Sequence, residues 1–567
     1  MFKNLSANPV DFLAWNWEDI EPYYRSLSER VLDADNIQDW LSDWSEIAGR
    51  VSEMYQRLYV ATTVNTEDSA AQQRYEAYLD GIYPKAQEAE QQLKEKLLAS
   101  GLEPANFAIP LRNLRTQAEL FRQENLPLQT EELKLSNEYD RLIGAQTVAW
   151  DGGEITLSQL QPVYQEVERE RRERAWRLAA ERQLADRQAI NELWVKYLDL
   201  RQQMARNAGF EDYRSYRWRQ YQRFDYTPQD CRTFHAAIEQ VVVPAARQVY
   251  ENRRQRLGVE RLRPWDLFVD PGGRPPLRSF SGVGELIEKT AAIFEQVDPQ
   301  LGEYFEVMRR EGLLDLDNRK GKAPGGYCTE YAVVHRPFIF MNSVGIHDDV
   351  QTLLHEGGHS FHVFESAGLP YLQQRDVPME FAEVASMAME LLASPYLSER
   401  RGGFYNEQDA ARARSEHLES SLLFWPYMAV VDAFQHWVYE NAEAARHPAN
   451  CDACWSGLWD RFMVGIDWGG LEQEKATGWQ RKLHIHQAPF YYIEYGLALL
   501  GAVQVFRNAR RDQQLAVSQY RLALSLGGTV GLPELFATAG AKFAFDVATL
   551  QEAVALMMTT LEELAHV

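Results

Sequence analysis

The stretch LLHEGGHSFH, residues 353–362, constrains this chain more than any other. It reads as helix, yet Gly357 and Gly358 stand in its middle. Each glycine costs a helix about 1 kcal/mol relative to alanine. A helix that accepts this loss leaves its face bare, so a peptide or another helix is expected to pass very close. His355 and His359 flank the glycines at a spacing of four, with Glu356 beside the first. Residues four apart share one helical face, so both imidazoles can reach one ion. The adjacent glutamate can then take a proton from water at an open metal position. The plainer reading is two satisfied histidines on a core helix. Asp348 is placed to cap the helix, whose pattern runs on to Phe364.

A second helix favours the ion. In VPMEFAEVASMAMELLASP (377–395), Pro378 suits the first helical position and Pro395 lies past the end. Glu380, Glu383 and Glu390 fall near one face of this otherwise apolar helix. A buried carboxylate needs a partner, and a metal is one. Two histidines, one glutamate and water make a catalytic zinc arrangement, but spacing alone leaves the choice of glutamate open. The longer pattern H-E-x-x-H-x-x-G-x-x-H fails, because positions 362 and 365 are His362 and Glu365. His362 lies about 10 Å of helix rise from His355, so its expected role is structural or orienting.

The rest of the chain reads as mostly α. Long periodic helices are expected over 69–100 and 160–209, with a hairpin or tight turn in 147–160. An irregular Pro/Gly/Arg-rich segment covers 261–282. β-Branched and aromatic residues on both sides of His335-Arg336-Pro337 predict one small hairpin over 325–343, directly before the metal motif. The expected division is an N-terminal helical lobe, 1–175, and a catalytic region, 176–567.

The chain resembles the oligoendopeptidase F branch of the zinc oligopeptidases, the group that includes thimet oligopeptidase and neurolysin. The matching stretches are GGYCTEY, DDVQTLLHEGGHSFH, FAEVASMAMELL and HIHQAPFYYIEYGLALL, in that order, and the likeness runs from about 195 to 550. The resemblance implies a zincin-type catalytic region and two helical lobes enclosing a deep channel. It implies one Zn2+ per chain, held by His355, His359 and Glu383, with Glu390 orienting a ligand histidine. It further implies endopeptidase cleavage of short unfolded peptides, with Glu356 as general base. By the same resemblance a His and a Tyr from the C-terminal stretch meet the oxyanion. His486 and Tyr492 are the expected pair, with Tyr495 next. If a peptide adds as a strand to the hairpin edge, Gly325, Gly326 and Tyr327 would border it, with Tyr491 also on the substrate.

Two rival functions stay open. One is a zinc carboxypeptidase on a similar helical fold, which would need an arginine for the terminal carboxylate; Arg336 and Arg375 are candidates. The other is a non-catalytic peptide-binding protein, which would have no need of Glu356. With 82 acidic against 59 basic residues the net charge is −23, which argues against nucleic acid and anionic membrane as partners. The sequence has no run of 18 apolar residues and no evident secretion signal, and four cysteines make no disulfide framework. A cytoplasmic protein is expected. Cys451 and Cys454 form a C-x-x-C without a second such pair, and read as ordinary thiols.

Overall fold

The computed structural model describes residues 2, 5–6 and 8–567. It is mostly helical, with two small sheets. Among the described residues no helix is long and apolar enough to cross a membrane.

The N-terminal helices include Trp17–Glu29, Ile37–Val64, Ser69–Gly81, Tyr83–Ser100 and Ala108–Leu120. They bury Trp40, Leu41, Trp44, Tyr78, Leu93 and Phe107 in a core of their own. A larger core, with Phe234, Phe294, Phe361, Val384, Trp425 and Leu500, fills the rest of the chain. The single helix expected over 69–100 is two helices, broken at Ile82. Pro84 favours the break, since it has no N–H to donate back and sits most readily in a helix's first turn, where it stands here. The 160–209 helix likewise splits into Arg169–Ala185 and Arg187–Asn207. At the break, the Asp186 carboxylate accepts from Arg182 at 2.7 Å and Gln146 at 2.8 Å.

Strands β1 (Thr147–Trp150) and β2 (Gly153–Thr156) form the expected hairpin. Its two turn residues, Asp151 and Gly152, both have positive φ (48° and 85°), as a tight two-residue hairpin requires. The second sheet holds β3 (Leu314–Asp317), β4 (Tyr327–Tyr331) and β5 (Arg336–Ser343) in the order β3-β5-β4. The β4–β5 pair is the antiparallel hairpin read from sequence. Strand β3, which runs parallel to β5, was not expected. The buried run Phe338–Met341 makes β5 the sheet's centre, and the helix His347–Ser366 lies against it.

The two parts of the chain meet along a polar seam. Thr63 Oγ1 and Tyr327 Oη lie 2.6 Å apart, the Val333 N–H donates to Glu53 at 2.8 Å, and the Leu372 N–H donates to Ser45 at 3.0 Å. Tyr327 is therefore committed to the seam, with its ring stacked on Phe340 at 4.8 Å.

Candidate metal centre and active site

The motif helix is His347–Ser366. Asp348 is its second residue and not its cap. Asp349 does the anchoring: its Oδ2 accepts from the N–H groups of Val344, Gly345 and Ile346 at 2.7–3.0 Å. These donors gather at the positive end of the helix dipole, where a carboxylate is stabilising. The second helix, Met379–Ala393, starts one residue later than expected, with Pro378 as its cap.

The glycine pair is explained by how these helices pack. A Cβ on Gly358 would sit 2.4 Å from the carbonyl oxygen of Ala385 and 2.5 Å from Ser386 Cα. A Cβ on Gly357 would sit 2.4 Å from Phe294 Cζ. What passes close is therefore the second carboxylate-bearing helix on one side and an aromatic ring on the other. This approach brings Glu383 to the histidines. His355 Nε2 is 3.3 Å and His359 Nε2 is 3.5 Å from Glu383 Oε2. A tetrahedral ion with bonds of 2.0–2.2 Å needs donors about 3.4 Å apart. One donor atom from each of the three residues lies within 4.8 Å of the others, so His355, His359 and Glu383 fit a divalent ion.

The other two glutamates fall elsewhere. Glu390 Oε1 accepts from His355 Nδ1–H at 2.6 Å, leaving Nε2 aimed at Glu383. Glu390 Oε2 lies 3.3 Å from His417 Nε2, a residue that sequence reasoning missed and that no local signal marked. Glu380 accepts from Tyr226 Oη at 2.5 Å and faces the buried Arg223, which it shares with Glu494. Burial would raise the Glu383 carboxyl, but the two histidines outweigh it and hold Glu383 well below the usual range. Burial would likewise lower His355, and the carboxylates of Glu383 and Glu390 hold it well above its ordinary value.

Glu356 belongs to the same helix but points into a cavity of about 460 Å³. Gly326, His355, Glu390, His417, Phe424 and Tyr495 share its wall. Burial pushes the Glu356 carboxyl up, against the pull of His355 and His359. Among the described residues its Oε2 has no hydrogen-bond partner. Gly326 stands beside it: a Cβ there would lie 3.7 Å from Glu356 Oε1. Gly325 has φ +92°, a conformation glycine takes without strain. His362 is buried against Phe381, and neither ring nitrogen has a partner.

The C-terminal stretch departs from expectation in three residues. His486 is not at the centre. It is fully buried, with its ring stacked on Tyr139 at 4.5 Å and its Nδ1 3.2 Å from the Lys482 carbonyl. Tyr492 turns away as well and accepts from Lys482 Nζ at 2.9 Å. Tyr491 does not border the cavity; it donates to Glu383 Oε1 at 2.6 Å and steadies that carboxylate. Only Tyr495 lines the cavity as expected, and its hydroxyl shares a 3.2 Å hydrogen bond with His484 Nε2. The signal for this was present. Tyr491 and Tyr495 are four apart and share a helical face, whereas Tyr492 is turned about 100° away from Tyr491.

The profile of Peptidase family M3 matches residues 163–555, and that of the Peptidase M3 N-terminal domain matches residues 8–106. The chain belongs to peptidase family M3. A solved structure described as PZ peptidase A with inhibitor 2 superposes with a TM-score of 0.91 at 27% identity, covering 99% of both chains. Oligoendopeptidase F from Enterococcus faecium shares the fold, with a TM-score of 0.64 at 14% identity over 97% of both chains. The oligoendopeptidase F homologue of Borreliella burgdorferi is 22% identical over 295 residues, which is 51% of this chain and 48% of that relative. The match thus spans about half the length of that curated relative.

Proposed function

We propose that the chain is a zinc-dependent endopeptidase that hydrolyses internal bonds of short oligopeptides. The observation that carries this reading is Glu356: a buried carboxylate with a free oxygen, on the wall of the same cavity as the ligand face of His355. A peptide-binding protein has no use for that arrangement. His355, His359 and Glu383 would hold one zinc, which when bound would supply a Lewis acid and lower the pKa of a bound water toward neutral. Glu356 takes a proton from the attacking water and returns it to the leaving amine. Glu390 fixes the His355 ring. Tyr495, whose phenol is neutral at pH 7 and held further from ionisation by burial and nearby carboxylates, donates to the oxyanion, with His484 setting its hydroxyl. The bare backbone at Gly325 and Gly326 leaves room for an extended substrate beside β4.

Tyr495→Phe should lower kcat by about 10²–10³-fold with little change in KM, since it removes one oxyanion donor. Tyr492→Phe, whose hydroxyl meets only Lys482, should stay within a few-fold of wild type. Steady-state kinetics on one peptide compares them, and the reverse order would return the oxyanion role to Tyr492.

The carboxypeptidase alternative is disfavoured by the arginines. Arg336 pairs with Glu311 at 2.8 Å, and Arg375 bonds the Leu369 carbonyl at 3.0 Å and His335 at 2.8 Å. Among the described residues, no arginine lines the metal cavity. A lobe of residues 1–175 closing on a catalytic region of 176–567 in the cytoplasm completes the reading. A second cavity of about 500 Å³, lined by Trp44, Tyr55 and Glu90 on one side and Arg375 and Asp376 on the other, supports a channel at the seam. A nonapeptide blocked at both ends, about 30 Å long at 3.3 Å per residue, should be cut internally. A stable folded domain should resist, because threading it would cost its unfolding free energy, typically about 5–15 kcal/mol. Mass spectrometry of the products checks both. Release of only terminal residues from unblocked peptides would sink the endopeptidase reading.

A further inference from the structure

A second set of donors lies in the core between two long helices, outside the lining of the catalytic cavity. Cys231 and His235 are four apart on the helix Pro228–Leu257, and Asp432 and His436 are four apart on Glu407–Glu440. That spacing puts each pair on one face, and the two helices pack together so that the faces meet. All four residues are at least 95% buried.

One donor atom from each of Cys231, Asp432 and His436 lies within 4.8 Å of the others, the same limit that His355, His359 and Glu383 meet. His436 Nε2 is 3.3 Å from Asp432 Oδ2, the same separation as between His355 Nε2 and Glu383 Oε2. His235 Nε2 lies 2.8 Å from that Asp432 oxygen and fixes the carboxylate. Among the described residues, Asp432 Oδ1 and His436 Nδ1 have no hydrogen-bond partner, and His436 Nε2 has only the Asp432 contact. Trp218 and Phe490 pack on the His436 ring, at centroid distances of 6.0 and 5.3 Å. Buried polar atoms are nearly always paired. A simple His–Asp–His arrangement would account for His235 and His436 Nε2, and would leave Asp432 Oδ1 and His436 Nδ1 buried without partners.

We propose that Cys231, Asp432 and His436 bind a second divalent transition-metal ion, with His235 holding Asp432, and that this ion staples the two helices. Binding displaces the thiol proton of Cys231 to solvent, as thiolate ligation requires. A thiolate, an imidazole and a carboxylate favour zinc-like ions over magnesium or calcium. Helix-to-helix sites of this kind are built from facing side chains in helical bundles. The staple sits on the helix that also carries His417, the partner of Glu390 beside the catalytic centre.

The full-length protein, dialysed against zinc and then freed of unbound metal, should carry two zinc ions per chain by plasma mass spectrometry. His359→Ala should keep one, and His359→Ala with Cys231→Ser should keep none. Loaded with cobalt, the His359→Ala protein should show a thiolate-to-cobalt charge-transfer band that the catalytic donors cannot produce. That spectrum needs no change in the cluster itself, so it stands even if Cys231→Ser fails to fold. A folded His359→Ala protein with no bound metal and no thiolate band would overturn the proposal. So would a band that survives Cys231→Ser.

Discussion

Glu356→Gln should retain its metal and lower kcat by about 10²–10⁴-fold, the usual worth of a positioned general base. The amide keeps the size and the hydrogen-bonding reach of the carboxylate but cannot accept the proton. The ligands His355, His359 and Glu383 are untouched, so metal content and thermal stability should stay near wild type. Burial favours a small gain in stability, because Glu356 is a buried carboxyl with an unpartnered oxygen on the cavity wall. Metal analysis beside kcat separates the two effects. Turnover at the wild-type rate would remove Glu356 from the role of base.

Gly358→Ala should be the most damaging change that touches no functional group. The added carbon would meet backbone at 2.4–2.5 Å, and backbone cannot swing aside. Relief requires the two helices to part by roughly 1 Å, at a cost of about 1–3 kcal/mol or more. The same parting carries Glu383 away from His355 and His359, where a placement error beyond about 0.5 Å spoils a site. Turnover should fall by about 10²-fold, and zinc affinity should fall with it. Gly357→Ala should be milder, because its obstacle is a side chain, the Phe294 ring, and not backbone. Equal metal affinity in Gly358→Ala and wild type would mean that the helix contact does not set the ligand geometry.

The parts of this site that were legible in the sequence are those carried within one helix. His355, Glu356 and His359 declare themselves by spacing, and the two glycines announce a close neighbour. The identity of that neighbour depends on tertiary packing, which no local pattern encodes. Glu380, Glu383 and Glu390 look alike along the helix, and only their partners across it tell them apart: Arg223 and Tyr226, the two histidines, and His355 Nδ1. In the C-terminal stretch, His484 and His486 sit on a five-residue helix, about 200° apart around its axis. One must face the site and the other the core, and the sequence offers no means of choosing. Strand β3 escaped notice because four residues pairing in parallel with β5 leave no periodicity to read. The first hairpin was legible from its Asp-Gly turn, whose residues take positive φ, and the second from the β-branched and aromatic residues on both sides of its turn.

Cleavage of an end-blocked nonapeptide by the intact protein, before metal removal, after it and after zinc is returned, tests the central claim most directly. The account predicts internal cleavage that falls to background in the metal-free protein and recovers on adding zinc, with Glu356→Gln inactive throughout despite normal metal content. Undiminished cleavage by protein shown to be metal-free would contradict it.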